Sequence, residues 1–275
     1  MSIGNAIILG LIDGLTEFLP VSRTGHMSIL QHLFSMTMPE DGHMLFDALL
    51  RLAALIAVCL ICWGDLGKML RETGSLFRPD PEGQRSRRPW ARLLIMVLVA
   101  TLPLLLKIPF LSGMRALSSN SYYIGAAMVL SGCLLYVTDK MLPGKKGLTG
   151  ITLSDSLLIG LCHLVGSFPG FSRSGAAISG GVALGLDRDF AVRFSLLIAI
   201  PSLFISFISS LIEAFSYRID WTSLPAYLVG MVAALLAGLL AVGLLRLAAR
   251  KGKFGGYAYY CWVAGVLSVI LTLIF

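Results

Sequence analysis

This sequence is short of charge. Only 13% of its 275 residues are charged while 56% are hydrophobic, and the charged share is about half that of a typical soluble domain. That balance excludes an ordinary soluble enzyme or binding module and leaves an integral membrane protein. No polar linker or low-complexity stretch divides the chain, so a single membrane domain over 1–275 is expected. The first residues lack the charged n-region and small-residue cleavage site of a secretory signal, and Asp13 and Glu17 interrupt their apolar run. This segment is therefore expected to be retained.

Other absences narrow the field further. All five cysteines lie in apolar segments, and no second pair completes the Cys59–Cys62 spacing into a metal site, so they read as packing residues rather than disulfide or zinc ligands. Basic residues are not interleaved with aromatics on a polar face, which excludes a nucleic-acid partner. The net charge of +7 is instead topological.

What is present is apolar sequence in span-length pieces. A helix of about 20 apolar residues crosses a bilayer, and six stretches qualify, near 45–63, 92–110, 121–138, 190–212, 224–245 and 256–275. Two more, about 3–34 and 152–185, are broken by Pro20 and by Pro169-Gly170, and read as re-entrant helical hairpins with a polar site at each tip. The predicted fold is therefore all-α, with six transmembrane helices and two re-entrant hairpins. Basic residues gather at Arg71, Arg78, Arg85, Arg87 and Arg88, at Lys140, Lys145 and Lys146, and at Arg246, Arg250, Lys251 and Lys253. Those loops are expected in the cytoplasm, and the 111–120 and 213–223 connections outside with both termini. The hairpins then enter from opposite sides. Aligning Ser22 with Ser172 also aligns Gly10 with Gly160, Leu11 with Leu161 and Phe18 with Phe168, an inverted-topology repeat.

The polar residues of these hairpins are the candidate site. Ser22-Arg23-Thr24-Gly25 recurs as Ser172-Arg173-Ser174-Gly175, and such residues in apolar surroundings are placed there to bind or convert something polar. Asp13 and Glu17, four apart, share a helical face; they can bind a divalent cation, activate water, share a proton, or pair with Arg23 or Arg173. The run Ser22 to His26 suits an anionic phosphate, with hydroxyls, a glycine allowing close approach, a two-pronged guanidinium and an imidazole that can exchange a proton or attack. Gly170, Ser172, Arg173 and Ser174 form the second half, Arg173 being the preferred phosphate anchor, and His163 can point into the same cavity. Arg51 and Arg193 lie inside spans, so each is expected to face the cavity or a carboxylate.

Glu17-Phe-Leu-Pro-Val-Ser-Arg-Thr-Gly-His26 and Pro169-Gly-Phe-Ser-Arg-Ser-Gly175 closely resemble the two signature motifs of the BacA-type undecaprenyl pyrophosphate phosphatases, and the likeness extends over nearly the whole chain. It implies an enzyme of the bacterial inner membrane, with its site facing the periplasm. Such an enzyme hydrolyses the terminal phosphate of undecaprenyl diphosphate, recycles the lipid carrier for cell-wall synthesis and gives bacitracin resistance. By position it implies a Mg2+ or Ca2+ ion on Glu17 and Asp13. Ser22, Thr24 and His26 would take phosphate-binding, nucleophilic or proton-transfer roles, and Arg173, Ser174 and Arg23 would neutralise the diphosphate. The expected partners are the polyprenyl diphosphate and membrane lipid, with a homodimer left open. The chain departs from the family's usual residues at Asp13 (glutamate), Arg23 (serine), Arg51 (glutamine), His163 (glutamine), Ala177 (threonine) and Arg193 (glutamate). The added positive charge keeps a second reading open, a polyprenyl-phosphate transporter on the same fold.

Overall fold

In hydrocarbon every backbone amide must bond within the chain, so long apolar runs have little choice but to be helical. The computed structural model describes residues 1–34, 43–75, 88–142, 144–216 and 219–274; the predicted cytoplasmic Arg78, Arg85 and Arg87 lie outside them. In order the helices are α1 (Ile3–Phe18), α2 (Arg23–Phe34), α3 (Met44–Ile61), α4 (Trp63–Gly74), α5 (Pro89–Thr101), α6 (Leu111–Ser118), α7 (Ser121–Lys140), α8 (Leu153–Gly166), α9 (Arg173–Ala183), α10 (Arg188–Ser216), α11 (Leu224–Lys251) and α12 (Gly255–Ile274). Six are long and apolar enough to span: α3, α5 with its continuation to Lys107, α7, α10, α11 and α12.

Three spans differ from the expected bounds. The second span is α-helical only to Thr101 and continues as a 3-10 segment, Leu102–Phe110. Pro103 and Pro109 cannot donate backbone hydrogen bonds, and the Leu102 N–H already bonds Val99, three residues back. α10 and α11 run to 29 and 28 residues, past the predicted ends. The short α4 was not anticipated. It is amphipathic and caps the next span, Glu72 accepting the Trp90 and Ala91 N–H groups at 2.8 and 3.1 Å.

The two hairpins are built alike. α1 ends at Phe18 and the chain turns through Pro20 to Ser22, whose Oγ accepts the Gly25 N–H (3.2 Å) and starts α2. α8 ends at Gly166, and Ser172 Oγ accepts the Gly175 N–H (3.1 Å) to start α9. Each turn needs one left-handed residue, Ser22 (φ 69°) in the first and Gly170 (φ 81°) in the second. The tips meet where the Gly170 N–H donates to Thr24 Oγ1 (2.7 Å). A Cβ on Gly170 would also overlap Ala127 and the Ile124 carbonyl of α7. Gly170→Ala is therefore expected to destabilise the protein by about 2–3 kcal/mol, seen as a lowered melting temperature in detergent.

The hairpins enter from opposite sides. The Met1 ammonium donates to Ser223 Oγ (2.7 Å) just before α11, whereas the start of α8 is tied to basic residues at the other ends of the spans, by Arg92 near the start of α5 to the Ile151 carbonyl (2.9 Å) and by Lys146 of the α7–α8 connection to Asp155 (3.1 Å). The packing repeats the inversion. α1 lies on α11 as α8 lies on α5, and α7 packs on α12. Gly10 sits on the Gly230 carbonyl and Gly160 on that of Ala100, with no room for a Cβ at either, the close backbone approach that small residues permit between membrane helices.

Candidate active site

A cavity of about 390 Å³ opens where the hairpin tips face α3, the 3-10 segment and α10. α1 brings Glu17 to its wall, the start of α2 brings Arg23 and Thr24, and the α8–α9 tip brings His163, Ser172 and Arg173.

The acids are held by guanidinium groups. Glu17 Oε1 accepts from Arg173 (2.5 Å) and Oε2 from Arg51 (3.2 Å). Asp47, on α3, accepts from Arg23 (2.9 Å) and Arg51 (3.4 Å) on one oxygen and from Ser210 (2.8 Å) on the other. Arg23 Nε bonds Asp13 and lies 3.9 Å from Glu17. Three carboxylates and three guanidinium groups thus compensate one another at a depth where a lone charge is costly. Lys107 also lines the cavity and makes no hydrogen bond or ion pair among the described residues. Arg173 gives one nitrogen to Glu17, and its remaining N–H groups have no partner among the described residues. The result is an excess of positive charge facing an enclosure lined by hydroxyls and apolar side chains, which suits a polyanion.

The other predicted residues divide between wall and frame. Asp13 lies behind Arg23 and is buried, and Ser174 borders a small recess shared with Glu17 and His163. Ser22, Gly25 and Gly170 shape the turns, and none of them lines the cavity. His26 is off the cavity: its ring stacks on Tyr260 of α12, with Nε2 2.6 Å from the Tyr260 hydroxyl and Nδ1 2.7 Å from the Ser22 carbonyl. His163 is the opposite case. It is 2% exposed and reaches the cavity wall, and neither ring nitrogen has a partner among the described residues. Both nitrogens of this buried imidazole are therefore open to whatever enters the cavity.

Sequence reasoning singled out Arg51, and Arg51 does meet carboxylates. Arg193 also finds one, pairing with Asp65 (2.5 Å) and lying over the Trp90 ring (4.9 Å), away from the cavity. Three contributors were missed. Asp47 precedes Arg51 by one turn inside an apolar span, which is itself a signal. Lys107 falls inside the apolar run expected as the second span, where nothing in the sequence sets it apart. Ser202, Ser206, Ser209 and Ser210 put a hydroxyl stripe at helical spacing on the cavity face of α10.

A divalent cation would need free carboxylate oxygens. Both oxygens of Glu17 and of Asp47, and one of Asp13, are taken by guanidinium or hydroxyl groups. Among the described residues no three His, Cys, Asp or Glu side chains come together as a ligand set. In this arrangement the residues do not fit a resident Mg2+ or Ca2+ ion.

Fold and site together define a polytopic membrane protein with a positively charged cavity at the junction of two inverted hairpins. The chain belongs to the family described as bacitracin resistance protein BacA, which matches residues 6–267. Among its relatives is an undecaprenyl-diphosphatase of Methanobrevibacter smithii, 33% identical over 97% of this chain and 96% of that protein. Those of Carboxydothermus hydrogenoformans (30%, covering 97% and 96%) and Halothermothrix orenii (31%, both chains in full, 100%) are similar.

Proposed function

We propose that this protein hydrolyses undecaprenyl diphosphate to the monophosphate and inorganic phosphate, returning the lipid carrier to cell-wall synthesis and lowering sensitivity to bacitracin. The observation that carries the reading is the cavity itself, where Arg173 and Lys107 offer unshared N–H donors in a chain whose relatives are named undecaprenyl-diphosphatases. A lipid substrate also needs a way in for its tail. Leu105 and Ile205 line the cavity and are 54% and 50% exposed, apolar surface against which hydrocarbon can lie beside the headgroup.

In this reading the terminal phosphate lies against Arg173 and Lys107. A water oxygen bonds to the terminal phosphorus as the bridging P–O bond breaks, the electron pair leaving on the polyprenyl monophosphate. The water proton passes to a ring nitrogen of His163. We assign that transfer to His163 because the nitrogens of His26 are held by Ser22 and Tyr260 outside the cavity. Glu17 is a positioning residue that aims Arg173 and Arg51. The fixed cations, already in place before charge develops, supply the electrostatic stabilisation.

Lys107 and Ser206 to Ser210 stand toward the span ends opposite Arg71, Lys146 and Arg250. That placement supports a cavity open to the periplasm, with both termini on that side and the protein in the bacterial inner membrane. A carrier that binds without hydrolysis would use the same cavity, and no observation favours it. His163→Gln tests the assignment. Its kcat is expected to fall about a hundredfold with KM little changed and with loss of the pH dependence that a titrating base imposes. A normal rate and pH profile would remove His163 from the chemistry.

A further inference from the structure

Arg23 is the side chain on which the acids of α1 and α3 converge. Its Nε bonds Asp13, its NH2 bonds Asp47 Oδ1 at 2.9 Å, and Glu17 Oε2 stands 3.9 Å from Nε. One planar cation thus lies within reach of three carboxylates that come from two helices and share no other common partner. With the guanidinium between them the three acids form no ligand set as they stand, but carboxylates from separate helices around one point are what a hard divalent cation requires. Here a guanidinium fills that place, and it is covalently fixed there. Arg51 and Arg173 take the oxygens of Glu17, and Ser210 takes the remaining oxygen of Asp47. Around the cavity Arg23, Arg51, Arg173 and Lys107 face Asp13, Glu17 and Asp47, so the excess is already positive before any metal arrives.

We infer that Arg23 takes the place of a divalent cation in this protein, and that its hydrolysis of a polyprenyl diphosphate proceeds without one. The inference rests on the hydrolase reading for its second half only. A metal would contribute two things, neutralisation of phosphate charge and a more acidic water. Arg173, Lys107 and Arg51 cover the first. A guanidinium does not acidify water, so the second falls to a base, and His163 has both ring nitrogens available beside Arg173. The reaction needs no further reactant: water and diphosphate enter, monophosphate and inorganic phosphate leave, and the proton on His163 returns to solvent.

The test uses the full chain purified in detergent and has two arms. In the first, Mn2+ binding is followed by electron paramagnetic resonance in wild type, Arg23→Ser and Arg23→Gln, each checked for folding by size exclusion. Wild type is expected to bind no Mn2+ at a site sensitive to Asp47→Asn, and the folded Arg23 variants to gain one. In the second arm, phosphate release from undecaprenyl diphosphate is measured with EDTA, Mg2+ or Ca2+. Wild type is expected to vary by less than about twofold, whereas the Arg23 variants lose about tenfold or more in EDTA and recover with metal. A wild-type Mn2+ site sensitive to Asp47→Asn, a wild-type rate that collapses in EDTA and returns with Mg2+, or folded Arg23 variants that gain no site would each overturn the inference. No release under any condition would overturn the hydrolase reading, and the Mn2+ arm would still decide what occupies the acids.

Discussion

Arg173→Ala is expected to lower kcat/KM for undecaprenyl diphosphate by about a thousandfold, close to 4 kcal/mol of transition-state stabilisation. Each charge-assisted hydrogen bond to phosphate contributes about 1.5–3 kcal/mol, and Arg173 has more than one N–H free for it. Its loss also leaves Glu17 Oε1 facing the cavity without its 2.5 Å partner. Arg173→Lys restores the charge without the fork and is expected to recover only part of the rate. Steady-state phosphate release, with melting temperatures run alongside, checks both. A Lys variant as fast as wild type would mean that charge alone suffices.

The second large effect is expected at Glu17. Glu17→Gln keeps the volume and one acceptor but removes the charge that aims Arg173 and Arg51. Misplacing those cations by about an ångström costs about a hundredfold in rate, so kcat is expected to fall by at least about that much. KM is expected to hold or drop, because the released guanidinium groups pair with substrate phosphate in the ground state. That split marks a positioning role. A variant with normal kcat and a raised KM would show that Glu17 contacts the substrate instead.

Much of this was legible before any coordinates. Six apolar runs and two broken ones announced the spans and hairpins, because few other structures are open to them in a bilayer. The clusters stood out because Glu17, Arg23 and Arg173 are expensive in such surroundings, and the structure brings the three together. What was not legible follows from geometry. His26 follows Thr24 by two residues, about 200° around a helix, so when Thr24 faces the cavity His26 turns toward α12. Lys107 was hidden because an apolar run with two prolines looks like a span until the switch to 3-10 geometry re-aims its end. Asp47 was masked by its neighbour Arg51. Arg23, expected at the phosphate, lines the cavity but is engaged by Asp13 and Asp47, while its pseudo-symmetric mate Arg173 keeps N–H groups for the cavity.

The central claim is that this cavity hydrolyses a polyprenyl diphosphate. Phosphate release from undecaprenyl diphosphate by the purified protein, wild type beside Arg173→Ala, tests it most directly. Wild type is expected to release phosphate, and the variant to lose nearly all of that turnover. Tight lipid binding by wild type with no phosphate released would contradict it and make the protein a binder or carrier of phosphorylated lipid.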